Sequence, residues 1–287
     1  MFESGGNTGT ALTAYGTRVG LETFLFVPAE NVALLDGRFF DSEAAHVIAV
    51  DRPRDVKPAA AIFAPRHGLS RIPELGWRIQ ASTFVGCFLL EHLLDHGPYD
   101  VLAQSISAAF GPVGIYRVLA SHQERLDRLP SFLGVQQAAN CPMVRAWKNG
   151  GALSAGSSSP RPIESTTELL ARVMYDGEPG TYGTLEPLRR ILVDTGGDLT
   201  TVDHDEFRRG LSTLVDGRSV LDHLADRDIE ITTRGGEIIE KAGLMALVGT
   251  LREIESGGIA PGRRVLVCIT GGTAQPGGPV NVTRWAG

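Results

Sequence analysis

The sequence predicts an α/β protein built on parallel sheets flanked by helices, and three features predict it. From Ala11 to Val50, a helical segment ending at Gly20, an apolar run Thr23–Pro28, a short helical stretch near Val32–Phe40 and a second apolar run His46–Val50 follow one another in the rhythm of βαβ units. A strand candidate, Val101–Ile106, leads through small residues into a helix that carries Pro112 in its first turn. A third apolar run, Val265–Ile269, reads as a buried strand and ends in Thr270-Gly271-Gly272-Thr273, as expected where a ligand meets the C-terminal edge of a parallel sheet.

The 287 residues, 43% hydrophobic and 21% charged, suffice for one large or two ordinary domains. A net charge of −6 and the lack of a basic run interleaved with aromatics argue against a nucleic-acid surface. Cys87, Cys141 and Cys268 are far apart and form no Cys-x-x-Cys pair, so they read as buried free thiols of a reducing compartment. No basic leader and no apolar run of membrane-spanning length is visible, and the expectation is a cytoplasmic protein.

The opening stretch, Glu3-Ser4-Gly5-Gly6-Asn7-Thr8-Gly9-Thr10, combines glycines that admit a close ligand with polar side chains. A helix from Ala11 to Gly20 aims free N–H groups at the same place, which makes an anion cradle. Asp51–Asp55 reads as a charged, solvated turn. Ser82–His96 reads as an amphipathic helix stopped by Gly97-Pro98. His92 and His96 share a face there, but no third metal ligand accompanies them, and histidines in a last turn also suit the helix dipole. Ser107-Ala108-Ala109-Phe110-Gly111 then forms the turn into the helix that runs towards His122, where converging amides suit a phosphate.

Leu133–Gln136 is the next strand, and 150–162, rich in Gly, Ala, Ser and Pro, is an expected flexible insert. Helical patterns cover Ser165–Met174 and Thr184–Thr195. Asp203-x-x-Glu206 is a capping box, and Lys241–Ser256 is a helix. Arg78 and Arg117 are weak candidates for an oxyanion contact. A Gly-x-Gly-x-x-Gly dinucleotide signature with its acidic partner is absent.

Ser4-Gly5-Gly6-Asn7-Thr8-Gly9 resembles the asparagine loop, Ser-x-Gly-Asn-Thr-Gly, of the fold-type II pyridoxal-phosphate enzymes. The resemblance extends through Ser-x-Ala-x-Gly-Pro at 107–112, Gly134-Val135-Gln136 and Ile-Thr-Gly-Gly at 269–272. Threonine synthase- and cysteate synthase-like members are the most similar. It implies a two-lobed protein with parallel sheets, lobes at 1–73 and 74–287, and pyridoxal 5′-phosphate in the cleft. Asn7 would bond the ring oxygen, Thr270 the pyridine nitrogen, and Ser107, Ala108, Ala109, Phe110 and Gly111 the phosphate. Ser4, Gly5, Gly6 and Thr8 would hold the substrate carboxylate, with Gly5 replacing a usual hydroxyl residue. Ala108, Ala109 and Phe110 replace part of the family's glycine run, and Lys241 replaces a proline. The implied reaction is β- or γ-elimination or replacement on a small amino acid such as phosphoserine or phosphohomoserine, with phosphate leaving.

The family's Schiff-base lysine stands in a Ser-x-Lys segment ahead of the asparagine loop. Lys57, Lys148 and Lys241 are the lysines of this sequence, and none has that setting. The expectation is an N-terminally incomplete chain: a truncated enzyme, half of a split enzyme whose partner chain supplies the lysine, or a cofactor-binding pseudoenzyme. A homodimer is the other expected assembly.

Overall fold

The computed structural model describes residues 1–4, 6–72, 74–150, 163, 165–175, 183–229, 231, 233–234, 237–238, 240–269 and 278–286. In chain order the elements are β1 (Phe2–Glu3), α1 (Asn7–Arg18), β2 (Thr23–Pro28), β3 (Ala45–Val50), α2 (Val56–Arg66), α3 (Glu74–His96), β4 (Val101–Ser105), α4 (Phe110–Ser121), β5 (Ser131–Gln137) and α5 (Pro142–Lys148). They continue with α6 (Leu185–Thr195), β6 (Asp198–Val202), α7 (His204–Ser212), β7 (Leu214–Val215), β8 (Arg218–Ser219), α8 (Val220–Ala225), β9 (Thr233–Arg234), β10 (Glu237–Ile238), α9 (Lys241–Glu255), β11 (Val265–Cys268) and β12 (Val282–Arg284). The chain divides into two units, one of residues 1–73, 161–177 and 274–287, the other of 74–160 and 178–273.

The first unit holds a four-stranded parallel sheet in the order β1-β2-β3-β12. β1, β2 and β3 are largely buried, so their apolar side chains run continuously instead of alternating with polar ones, while β12 is an exposed edge strand among the described residues. Phe26, Ile48 and Val50 pack with Val56, Ala59, Ala60 and Ala64 of α2. Leu25, Val27 and Val47 pack on the other face with Phe2, Leu35, Phe40 and Leu12 of α1. The C-terminal β12 returns to this sheet, with Thr283 opposite Ile48, whereas the sequence reading placed 74–287 in one lobe. Its pairing is made across more than 200 residues, about which a three-residue strand says nothing by itself.

In the second unit the sheet order is β11-β4-β5-β6, again parallel. Leu102, Ile106 and Phe132 meet α3, α4 and α6 through Leu89, Leu93, Ile115, Leu119, Leu188 and Leu192. α9 buries Leu244, Met245, Ala246 and Val248. β4 lies between β5, which follows it, and β11, which comes from far along the chain. The end of β4 is therefore the topological switch point of this sheet, where ligands of open α/β sheets gather.

Several expectations change. α1 begins at Asn7, four residues before the expected start, so Asn7 and Thr8 belong to its first turn. Near Val32–Phe40 the chain makes two short 3₁₀ turns, Ala29–Leu34 and Gly37–Phe39. The charged turn closes as a 3₁₀ turn, Pro53–Asp55, that runs into α2, and Lys57 sits in that helix. Two prolines disguised the helix, but Pro58 stands in its first turn, where no N–H is needed, and Pro65 one residue from its end. α3 starts at Glu74 rather than Ser82.

Ser165–Met174 is not a helix but two 3₁₀ turns, Thr166–Glu168 and Arg172–Met174. Leu169, Leu170 and Ala171 between them are consecutive and all buried, which a one-sided helix cannot achieve. β11 is a half-buried edge strand among the described residues, not a fully buried one. Cys87 is exposed, Cys141 buried and Cys268 half-buried. Among the described residues, no helix is long and apolar enough to cross a membrane. The 150–162 insert, apart from Gly150, lies outside the described residues.

Candidate functional site

Two turns, one in each unit, carry most of the expected site residues. In the first unit β1 delivers Ser4, whose N–H donates to Phe26 O at 3.1 Å. Ser4 Oγ accepts the N–H groups of Gly6 at 3.2 Å and Gly9 at 3.0 Å, and so closes the entrance to α1 from outside. A Cβ on Gly9 would fall 2.6 Å from Leu25 Cδ1, and one on Gly6 2.7 Å from Val173 Cγ1. Glycine is required at both by close packing. Thr8 is exposed on the first turn. Gly5 and the side chain of Asn7 lie outside the description, so the structure places the Asn7 backbone only. Beside the turn, the buried Glu3 carboxylate pairs with Arg71.

The second turn follows β4 at the switch point. Ile106 N–H still bonds Val135 O at 2.9 Å, after which Ser107 and Ala108 bend away. Ala109 takes φ 59° and ψ 23°, and no side chain of this N-cap residue bonds the first-turn amides of α4. The left-handed conformation costs an alanine about 1–2 kcal/mol. Ala109 thus adopts the backbone that a glycine would supply more cheaply. The positive end of the α4 dipole lies at this turn, and Ala109 brings no side-chain cap to it.

Three polar residues hold this turn. Gln136, 1% exposed, donates Nε2–H to Ser107 O at 3.2 Å, while its Oε1 accepts Met143 N–H at 3.0 Å and Val144 N–H at 3.1 Å. One amide side chain thereby ties the Ser107 turn to the start of α5. Gln104, 9% exposed on β4, lies under Gly111: a Cβ there would come 2.8 Å from Gln104 Nε2. Gln104 Oε1 is buried without a hydrogen-bond partner. Ser105 Oγ donates to Ala242 O and fastens the end of β4 to α9. The Arg78 guanidinium lies over the Phe110 ring at 5.4 Å, whereas Arg117 is exposed on α4.

Two more groups stand at the same sheet edge. Glu240 caps α9, its carboxylate accepting Gly243 N–H at 2.7 Å; burial pushes its carboxyl above the ordinary range, against the opposing pull of that bond. At the end of β11, burial pushes the Cys268 thiol up to about 11. Thr270, two residues further on, lies outside the described residues. His92 Nε2 is 3.1 Å from Tyr99 OH, and its ring stacks on Tyr99, a packing role at a helix end.

The sequence assigns no role to Gln104 or Glu240, and Gln136 enters only as the end of the Gly134-Val135-Gln136 strand. A glutamine inside an otherwise apolar strand was the available signal for both glutamines, since a buried amide must find partners.

No family model matches the chain. Among solved structures, a threonine deaminase from T.th. superposes with a TM-score of 0.66 and 15% identity, covering 96% of this chain and 77% of that one. A maize serine racemase gives a TM-score of 0.64, also at 15% identity, covering 96% and 74%. The fold is that of the fold-type II pyridoxal-phosphate enzymes. A third neighbour, a pyridoxal 5′-phosphate-dependent aspartate racemase, has a TM-score of 0.62 at 18% identity over 92% of this chain and 70% of that one. Two curated relatives carry the names to which the motifs pointed. A threonine synthase of Methanosarcina acetivorans is 24% identical over 276 residues, and a cysteate synthase of Methanosphaerula palustris is 25% identical over 295 aligned positions. Each alignment takes in 94% of this chain, which spans 60% of the length of either relative.

Proposed function

We propose that this chain binds pyridoxal 5′-phosphate and serves an elimination or replacement reaction on a phosphorylated amino acid such as phosphoserine or phosphohomoserine. The observation that carries the reading is the Ser107–Gly111 turn: a helix N-terminus entered at a switch point through a left-handed Ala109, whose side chain provides no cap. The fit to a phosphate monoester is chemical, because the positive end of a helix dipole favours an anion and Ala109 brings no polar side chain to take its place. Gly111 makes room for the Gln104 amide, which lies beneath the turn as a polar group.

In this reading Ser107, Ala108, Ala109, Phe110 and Gly111 hold the phosphate end, and Thr270 faces the pyridine nitrogen. Asn7 bonds the ring oxygen. Ser4, Gly5, Gly6 and Thr8 orient the substrate carboxylate, Ser4 with the hydroxyl proton left after its oxygen has accepted two amides. The cofactor, when bound, supplies an electron sink for the pair released at the substrate α-carbon. The hydroxyl of Thr270, being neutral, would leave the ring nitrogen unprotonated and favour loss of a β- or γ-substituent. Gln136 fixes the turn by its three bonds, and Ser105 holds it against α9.

A second reading, binding without turnover, is favoured by the lysines. Lys148 is paired with Asp198 at 2.7 Å, Lys57 is in the first turn of α2 and Lys241 opens α9. We propose that none of them carries the cofactor covalently. Titration of the full chain with pyridoxal phosphate, borohydride reduction, peptide mapping and a phosphate-release assay on both phosphoamino acids test both readings. Saturable binding with phosphate release supports the enzyme, and saturable binding with neither release nor a labelled lysine supports the second. Absence of binding contradicts both.

A further inference from the structure

Among the described residues, none answers the buried Nε/Nη2 edge of the Arg145 guanidinium. Arg145 lies in α5, its own N–H donating to Cys141 O at 3.1 Å, and its side chain is half-buried. Nε and Nη2 are both buried, and neither has a hydrogen-bond partner. Arg252, at a comparable depth in the same unit, shows the usual solution: its donors reach Thr201 O and the side chains of Thr200, Glu206 and Glu253.

The atoms left over are informative. Nε–H and one Nη2–H point in parallel from one edge of the planar guanidinium, at the spacing of two oxygens of a carboxylate or phosphate. A buried guanidinium edge without a counter-charge is a standing cost, which a two-oxygen anion admitted to that edge would remove. Such an anion would not compete for the α5 amides, because Met143 and Val144 N–H are already bonded to Gln136. The same Gln136 fastens the first turn of α5 to Ser107. Cys141, one turn before Arg145, is close enough to respond: burial pushes its thiol up, and the guanidinium charge pulls it partly back.

We propose that Arg145 is a binding residue for an oxyanion, a carboxylate or phosphate group taken side-on by its Nε/Nη2 edge. The site stands on these contacts alone and does not depend on the reaction proposed above.

The test is calorimetry on the full chain with inorganic phosphate, acetate and O-phospho-L-serine, for the native protein, Arg145→Lys and Arg145→Met, with melting of each protein free of ligand. Arg145→Lys keeps the charge and loses the fork; it should weaken one anion site per chain by at least about 10-fold. Arg145→Met should remove that site. Without ligand, Arg145→Met should melt at or above the native protein, because an unanswered buried charge is gone. A preference for phosphate or for acetate names the group. Phosphoserine weakened by the same factor would make it a group carried on an amino acid, and phosphoserine unaffected would make it a separate small anion. Anion binding unchanged in both variants, or ligand-free Arg145→Met melting well below the native protein, overturns the proposal, the latter by making Arg145 a structural residue.

Discussion

The turns at Ser4–Gly9 and Ser107–Gly111 each carry a parallel strand into a helix at the C-terminal edge of a sheet, and they finish that helix in opposite ways. Ser4 spends its oxygen on the amides of Gly6 and Gly9. Ala109 has no side-chain oxygen to offer the first turn of α4. A helix end bonded by a side chain is stabilised within the chain, whereas one without such a bond leaves its dipole to water or to a ligand. On the function proposed above, the anionic end of the cofactor would go to the second turn, and the first would serve shape and orientation.

The largest effect should come from filling the second turn. Gly111→Val places atoms where Gln104 lies 2.8 Å from a Cβ, and pyridoxal phosphate affinity should fall about 10- to 100-fold, read by equilibrium titration. Gln136→Leu leaves Ser107 O and two α5 amides unmatched; chemical denaturation should show a loss of about 3 kcal/mol. Ser4→Ala should cost about 1 kcal/mol by the same measurement while leaving cofactor affinity nearly unchanged. Equal losses of affinity at Ser4 and Gly111 would erase the distinction between the turns.

Smaller effects sharpen it. Ala109→Gly should stabilise the protein by about 0.5–1 kcal/mol, the relief of left-handed strain less the extra chain entropy of glycine. Glu240 supplies a pH signature. Burial raises its carboxyl in the folded state, so its native form prefers the proton, and the stability it contributes at low pH is lost as pH rises from about 4 through the folded-state value. Glu240→Gln keeps an oxygen for Gly243 N–H; its melting temperature should pull ahead of the native protein over that interval and match it below. A constant gap at all pH values would count against a buried, raised carboxyl.

Local signals carried much of the fold. β2 falls at Thr23–Pro28 as its apolar run indicated, and the Asp203/Glu206 capping box forms with both reciprocal bonds, because each depends on residues a few positions apart. What stayed hidden depends on distant partners. Nothing near Val282 announces β3, nothing near Ser105 announces Ala242, and Gln136 shows its purpose only once Ser107 and α5 are folded around it. In the candidate site the position of both turns was legible, but the role of Ser4 was not. A serine before glycines reads equally as a ligand contact or a cap, and the chain uses its oxygen for capping.

The most direct test of the central claim compares pyridoxal phosphate with pyridoxal, which lacks only the phosphate, in equilibrium binding to the full chain. The account predicts that pyridoxal binds at least about 100-fold more weakly, that the gap survives in Arg145→Met, and that it closes in Gly111→Val. Equal affinity for the two compounds, or a gap untouched by Gly111→Val, would contradict the assignment of the phosphate to the Ser107–Gly111 turn.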